Sequence, residues 1–308
     1  MRTVTRLALF GAGLVAVFAV AAAAANAVVP SDAVTAWTQT GEDDTMNEHT
    51  STEQGHALSG FSLEQRGYVL DTVTAPERTG QPGELSFRIL DPKGDVATDF
   101  DADHEKDLHL IVVRTDGAQF RHVHPTRDES GTWTIPWEWD AAGSYRVYTD
   151  FRVEADHGPL PVTLSRTVQV AGEYTPIEPD PASTATVAGF EVTVTGELEV
   201  GSLSQLTLSV SRHGEAVTTL QPYLGALGHL VALRAGDLGY LHMHPEGHAP
   251  GTGDTSGPEM TFVAEPPTAG MYLLYFDFQV NGTVHTAALA VPANKTESSA
   301  EPHQETDH

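Results

Sequence analysis

Fifteen histidines are spread over 308 residues, and six of them form two sets with one spacing. The first set is His109, His122 and His124; the second is His229, His242 and His244, each 120 positions further on. Arg114 and Pro125 recur in the same register as Arg234 and Pro245, while most residues between have drifted. Imidazole spacing that is kept while its filler changes points to metal binding. Neutral imidazole is a strong ligand for copper(II), zinc and nickel and gives calcium no home. The chain has no cysteine, so zinc–thiolate sites, iron–sulfur clusters, a cysteine nucleophile and a blue-copper centre are excluded.

Each His-x-His pair lies on an expected strand, and residues two apart on a strand point to one face. Asp116-Gly117 suits a two-residue primed turn, which sets His109 opposite His124 and Ile111 opposite His122. A turn at Gly236-Asp237 likewise sets His229 opposite His244. In that register Ile111, Val113 and Phe120 share the histidine face, with Arg114 and Arg121 on the other. Val231, Leu233 and Tyr240 join the histidines of the second set, with Arg234 opposite. A longer turn would shift the register and move His109 to the other face. The expectation is one three-histidine metal site per domain, at the rim of an inward or partly buried sheet face. Asp150 and Asp277 recur downstream and are candidate acceptors for an imidazole N–H; structural capping is their competing role. Asp103, His104, Glu105 and Asp107 enrich only the first site, and Met243 and His248 only the second. Met243 alternates away from the histidines that flank it. The bland readings of His-x-His are a hydrogen-bonded surface pair and a packing motif inherited by duplication.

The elements that must position these residues are themselves repeated. Gly83–Ile89 matches Ser204–Val210, and Ala142–Phe151 matches Ala269–Phe278 at an offset of 127. The seven extra residues of the second copy fit the Gly/Pro-rich loop from Glu246 to Pro258. Within each copy the apolar runs are short, alternating, rich in Val, Leu, Thr and aromatics, and divided by turn residues, as strands require. In the first copy they are Tyr68–Val73, Glu84–Leu90, Leu108–Arg114, Gln119–His124, Thr132–Trp137, Ser144–Phe151 and Val162–Val170. About seven strands in ~110 residues argues a β-sandwich. Gly143-x-Tyr145 and Gly270-x-Tyr272 have the form of the tyrosine corner of immunoglobulin-like domains, in which the hydroxyl ties a strand start to the preceding loop. The fold expected is all-β: two tandem immunoglobulin-like sandwiches after an N-terminal hydrophobic export helix.

Arg2 and Arg6 precede the apolar run Leu7–Ala25, and Ala25-Asn26-Ala27 is a small-x-small cleavage pattern. Residues 1–27 read as an export signal, or as an uncleaved anchor, since residues 7–29 are long enough to span a bilayer. Either way the remainder is expected to be secreted or held at the cell envelope, touching membrane only through its N-terminal segment. Residues 28–60 read as an acidic flexible spacer, 61–173 as the first domain, 174–188 as a proline-rich linker, 189–293 as the second domain, and 294–308 as a disordered tail. Sixteen basic against 42 acidic residues give a net charge of −26. That surface repels nucleic acid and anionic lipid and attracts cations.

The phrases His104–Arg114 and Tyr223–Arg234 resemble those of a family of exported, actinobacterial-type proteins described as secreted or heavy-metal-associated. The resemblance spans residues ~61–292 as two repeats and implies export and a copper or heavy-metal association, with no established reaction. More distantly, the chain is similar to the immunoglobulin-like copper-resistance chaperones of the periplasm. Those commonly bind with a mature N-terminal histidine; cleavage here leaves Val28, so that site does not carry over.

Three functions compete. The leading one is an exported metal-binding protein that buffers copper (zinc is the alternative ion), confers resistance, or delivers the ion to a copper transporter or cuproenzyme. The second is a copper-dependent redox enzyme of monooxygenase or dismutase type. Against it, monooxygenase domains carry unlike ligand sets, and the bridging histidine and metal-bound aspartate of a dismutase find no place. The third is a structural or adhesion module whose histidines only pack. No serine–histidine–acid set, paired carboxylates or phosphate-binding glycine loop stands out.

Overall fold

The computed structural model describes residues 58–103, 105–154, 158–246 and 255–295. The expected leader, nearly all of the acidic spacer and of the tail, His104 and His248 lie outside them. Among the described residues no helix is long and apolar enough to cross a membrane. The described residues fall within one compact unit, and it is built from strands.

In the first sandwich, one sheet runs in the order Leu160–Val170, Gly143–Val153, His109–Arg114, Arg121–Val123. It faces Gly83–Phe87, Trp133–Trp137 and Thr126–Arg127. Leu85, Phe87, Leu110, Val112, Trp133, Val147 and Leu164 fill the space between, all but excluded from water. The second sandwich repeats the plan. Thr283–Asn294, Gly270–Val280, Gly228–Arg234 and Tyr240–Leu241 form successive strands of one sheet. Phe190–Thr195, Ser204–Arg212, Glu259–Ala264 and His244–Pro245 run through the other. Along Ser204–Arg212 buried and less buried residues alternate, the period-2 signature of a strand with one covered face. Thr184–Val187, within the proline-rich linker, pairs with Phe190–Thr195 as an edge strand of the second sandwich.

Both tyrosine corners form. Tyr145 donates its hydroxyl to the Ala141 carbonyl at 2.7 Å, and Tyr272 to the Thr268 carbonyl at 3.1 Å. Next to the turns the expected registers also hold, by another turn than the one anticipated. Leu110 faces Val123 and Ile111 faces His122. Yet the Gly117 N–H bonds to the Arg114 carbonyl and the Arg114 N–H to the Ala118 carbonyl, which makes a three-residue loop with Gly117 at φ 84°. That loop alone would slip the register by one residue. Gln119, at φ 56°, is the compensating bulge that sets two residues against one. In the second copy the Arg234 N–H bonds to the Gly239 carbonyl across a four-residue loop, and Leu233 still faces Tyr240.

The larger correction concerns the histidine face. Ile111, Val113 and Phe120 do share it, but it is not inward to their own sandwich. Ile111, Val113 and Tyr148 pack with Val231, Leu233, Tyr240, Leu273 and Tyr275 in a third apolar cluster between the domains. The contacts are reciprocal. Tyr148 donates to the Leu238 carbonyl in the hairpin loop of domain two, and Tyr275 to the Gly117 carbonyl in that of domain one. Phe120 stacks on Tyr275 with ring centres 3.9 Å apart, and Tyr240 leans on Tyr148 at 5.8 Å. The end of the acidic spacer is stitched into this interface, because Ser59 exchanges both backbone hydrogen bonds with Tyr240.

Candidate metal centre

His109 opens the central strand of the first sandwich and is 6% exposed. His122 lies on the adjacent strand Arg121–Val123 and His124 just past its end, so the hairpin register brings all three rings together. His109 Nδ1 is 3.0 Å from His122 Nε2 and 3.1 Å from His124 Nε2. All three ligand atoms lie within 4.8 Å of one another. The three histidines of the first expected set are thus brought together, in a group that could hold a metal ion.

Hydrogen-bond chemistry fixes which nitrogens carry lone pairs. His109 Nε2 lies 3.1 Å from the Asp103 carbonyl, an oxygen that only accepts, so Nε2 bears the proton and Nδ1 the lone pair. His122 Nδ1 is 2.8 Å from Asp277 Oδ2, and Thr286 donates to the other oxygen of that carboxylate. His122 therefore donates from Nδ1 and keeps the lone pair on Nε2. Two such lone pairs 3.0 Å apart require a proton or a cation between them. Burial first, then the neighbouring His122, lowers the His109 pKa below its usual value, against the pull of Asp150 and the Asp103 carbonyl. Burial, with His122 and His109 beside it, pushes His124 down to about 2. Neutral, preorganised imidazoles are what a metal ion needs. A tetrahedral site with bonds of ~2.05 Å has nitrogens roughly 3.3 Å apart, close to the two separations from His109 Nδ1.

Asp277 belongs to the second domain. It stands opposite His229 in its own sheet, is 3% exposed, and reaches across the interface to orient His122. Its recurrence was a usable signal; its crossing between domains was not legible, because alternation says which residues share a face and not what covers it. The Asp103 carbonyl was missed for another reason. It sits in a tight turn closed by mutual bonds between Asp103 and Lys106, with Glu105 at φ 66°. The counterpart turn joins Tyr223 and Ala226, and His229 Nε2 lies 2.8 Å from the Tyr223 carbonyl. A backbone carbonyl does the work in both copies, so the side chain there was free to drift from Asp to Tyr.

The second set does not close as expected. The strand Tyr240–Leu241 ends before His242, and the chain crosses to the opposite sheet at His244, which pairs with Val263. In the first copy that crossing comes two residues later, at Thr126. His229 therefore has Asp277 as its strand partner and no pairing with His244. His229 instead approaches the first cluster, its ring centre 6.4 Å from that of His109 and 6.1 Å from that of His122. His242 packs on Tyr240 and contacts Thr163 and Ser59, while His244 is exposed. A cavity of about 370 Å³ separates these groups; His109, His122, His229, His242 and His244 all line it, as do Asp150 and Met243. Met243 thus shares the cavity with the histidines that flank it, because the strand that would have turned it away has ended.

Two matches to one family model cover residues 64–170 and 185–295, more than half of the chain, so this protein belongs to the family described as "Domain of unknown function (DUF8832)" and carries two copies of its domain. Among curated proteins none matches. The D0–D1 domain of intimin is 11% identical with a TM-score of 0.20, over 73% of this chain and 96% of that one. A putative membrane anchored protein from Corynebacterium diphtheriae is 10% identical with a TM-score of 0.21, over 71% and 56%. A marsupial T cell receptor is 13% identical with a TM-score of 0.22, over 76% and 73%. At such scores these likenesses carry no argument, and none of these descriptions names a metal.

Proposed function

We propose that this two-domain member of the family is an exported metal-binding protein whose first ion sits between His109 Nδ1, His122 Nε2 and His124 Nε2. The observation that carries the reading is the 3.0 Å approach of His109 Nδ1 to His122 Nε2, each made a lone-pair bearer by a partner that can only accept. Imidazole-only donors suit copper(II) and zinc, and copper(II) stands highest in the divalent affinity order for a given nitrogen site. We therefore favour copper, with zinc the alternative ion, and a role in buffering, resistance or delivery to a transporter or cuproenzyme outside the cytoplasm. The acidic surface favours cation capture over long range. The outward cavity leaves the ion a route for transfer.

The test is titration of the metal-stripped, tag-free protein with copper(II) and zinc against a competing chelator. Saturable binding at micromolar ion or below, with the tightest binding lost in His122→Ala, supports the reading. Wild-type protein that takes neither ion, or an affinity untouched by His122→Ala, sinks it.

A further inference from the structure

We infer that the same interdomain centre holds a second ion of the same imidazole-preferring class, bound by His229 and His242 and supported across the interface by Asp150. The inference rests on the metal reading above and extends it from one ion to two.

The reciprocity of the interdomain contacts extends to the parts of the site. Asp150 stands opposite His109 in its sheet as Asp277 stands opposite His229. Thr163 donates to Asp150 Oδ1 at 2.7 Å, as Thr286 donates to Asp277 Oδ1. His122 bonds to the Asp277 carboxylate itself, and His242 Nε2 lies 3.2 Å from Ser59 Oγ and 3.3 Å from Thr163 Oγ1, the hydroxyl that bonds to Asp150. The single hydroxyl proton of Thr163 goes to the carboxylate, whereas the Ser59 hydroxyl can donate or accept, so either nitrogen of His242 can carry the lone pair. His229 donates Nε2–H to the Tyr223 carbonyl, so its lone pair is on Nδ1, as in His109.

One further imidazole, His229, thus has its tautomer set by an acceptor, and it lines the cavity beside the first cluster together with His242. His244 lines it from the strand that crosses to the opposite sheet. The His109 and His229 ring centres are 6.4 Å apart, so the two ions would lie side by side in one centre instead of one in each domain. The first ligand set is already in contact and the second is spread around the cavity, so the ions should load in that order.

The experiment is a zinc titration of the full-length, tag-free protein by calorimetry, with bound metal counted after desalting. Parallel titrations use His122→Ala, His242→Gln, Asp150→Asn and the His122→Ala/His242→Gln pair, each checked for a native melting transition. Two zinc ions per wild-type chain are expected. His242→Gln should keep only the tighter ion, and the double variant none. Asp150→Asn, at a carboxylate that bonds to Thr163 beside His242 and also faces His109, should weaken the looser ion roughly 10- to 100-fold and the tighter ion by less. One ion in the wild type, with the same ion at the same affinity in His242→Gln, overturns the second site and leaves the first standing. No ion in the wild type overturns both.

Discussion

The two sandwiches carry the same histidines on the same hairpin, yet only the first copy brings three imidazoles into contact. The difference is two residues of strand. In the first copy the chain stays in the sheet through Val123 and crosses at Thr126; in the second it leaves after Leu241 and is across by His244. Histidine spacing in the sequence is therefore not sufficient: the point at which a strand switches sheets decides whether His-x-His stays beside the histidine of the neighbouring strand. The parts that do not depend on that point are duplicated faithfully. Both carbonyl turns, both carboxylate–threonine pairs and both tyrosine hydroxyls recur in each half.

The sharpest way to break this contrast is to delete ligands copy by copy. His109→Ala should lower affinity for the first ion by at least ~100-fold, since it removes the nitrogen that both other rings approach. His244→Ala, at an exposed position outside the first cluster, should leave that ion within about twofold. Chelator competition on both variants checks this. Equal losses would mean that the copies contribute alike to the first site, contrary to the geometry.

Next in size is the carboxylate that crosses between domains. Asp277→Asn keeps the shape but weakens the acceptor that holds His122 in its ligand tautomer, and should cost about 10- to 100-fold in affinity for the first ion. Affinity measured beside the melting temperature separates this from simple undocking of the domains. An unchanged affinity would make Asp277 a structural cap only.

The interface itself is symmetric where the site is not. Tyr148→Phe and Tyr275→Phe each strand a loop carbonyl in the other domain, and each should destabilise the protein by about 1–2 kcal/mol. Denaturant melts compare them. A large cost for one and none for the other would show that only one half of the docking contact matters.

Much of this was readable from the chain. Apolar alternation gave the strands, Gly-x-Tyr gave both corners, and the pairing of Ile111 with His122 followed from a turn centred near Asp116-Gly117. That register survived a wrong turn type because Gln119 supplies a compensating bulge. The covering of the histidine face was misjudged, although a signal existed. His109–Arg114 is buried along its whole length, and its near-continuous apolar run is what a strand covered on both faces requires. Its burial between domains follows from that run; alternation alone suggested one covered face. The early sheet switch at His244 left no such mark, since it turns on pairing with Val263, distant in sequence.

The smallest expected difference lies in the hairpin loops. Arg114 forks onto both oxygens of Asp116, at 2.9 and 2.8 Å, with the two side chains 9% and 4% exposed. The Ile177 N–H also bonds to Asp116, which ties the linker to the loop. Arg234 makes the same fork to Asp237, but there the side chains are 23% and 44% exposed. Burial raises the Asp116 pKa, but the Arg114 fork and the Ile177 and Ala118 N–H groups outweigh it and hold the carboxyl below its usual value. Asp237 is lowered chiefly by the Arg234 hydrogen bond. A carboxylate with a depressed folded pKa adds stability above its unfolded pKa, and that stability is lost as pH falls through the folded value. Asp116→Asn should therefore cost about 1 kcal/mol near neutral pH, and Asp237→Asn less than about 0.5 kcal/mol, as for an exposed pair. Both differences from wild type should shrink as the pH is taken below ~4. Melting curves at neutral and acid pH decide it: a penalty that does not fall with pH would mean the loops depend on the shape of the aspartate and not on its charge.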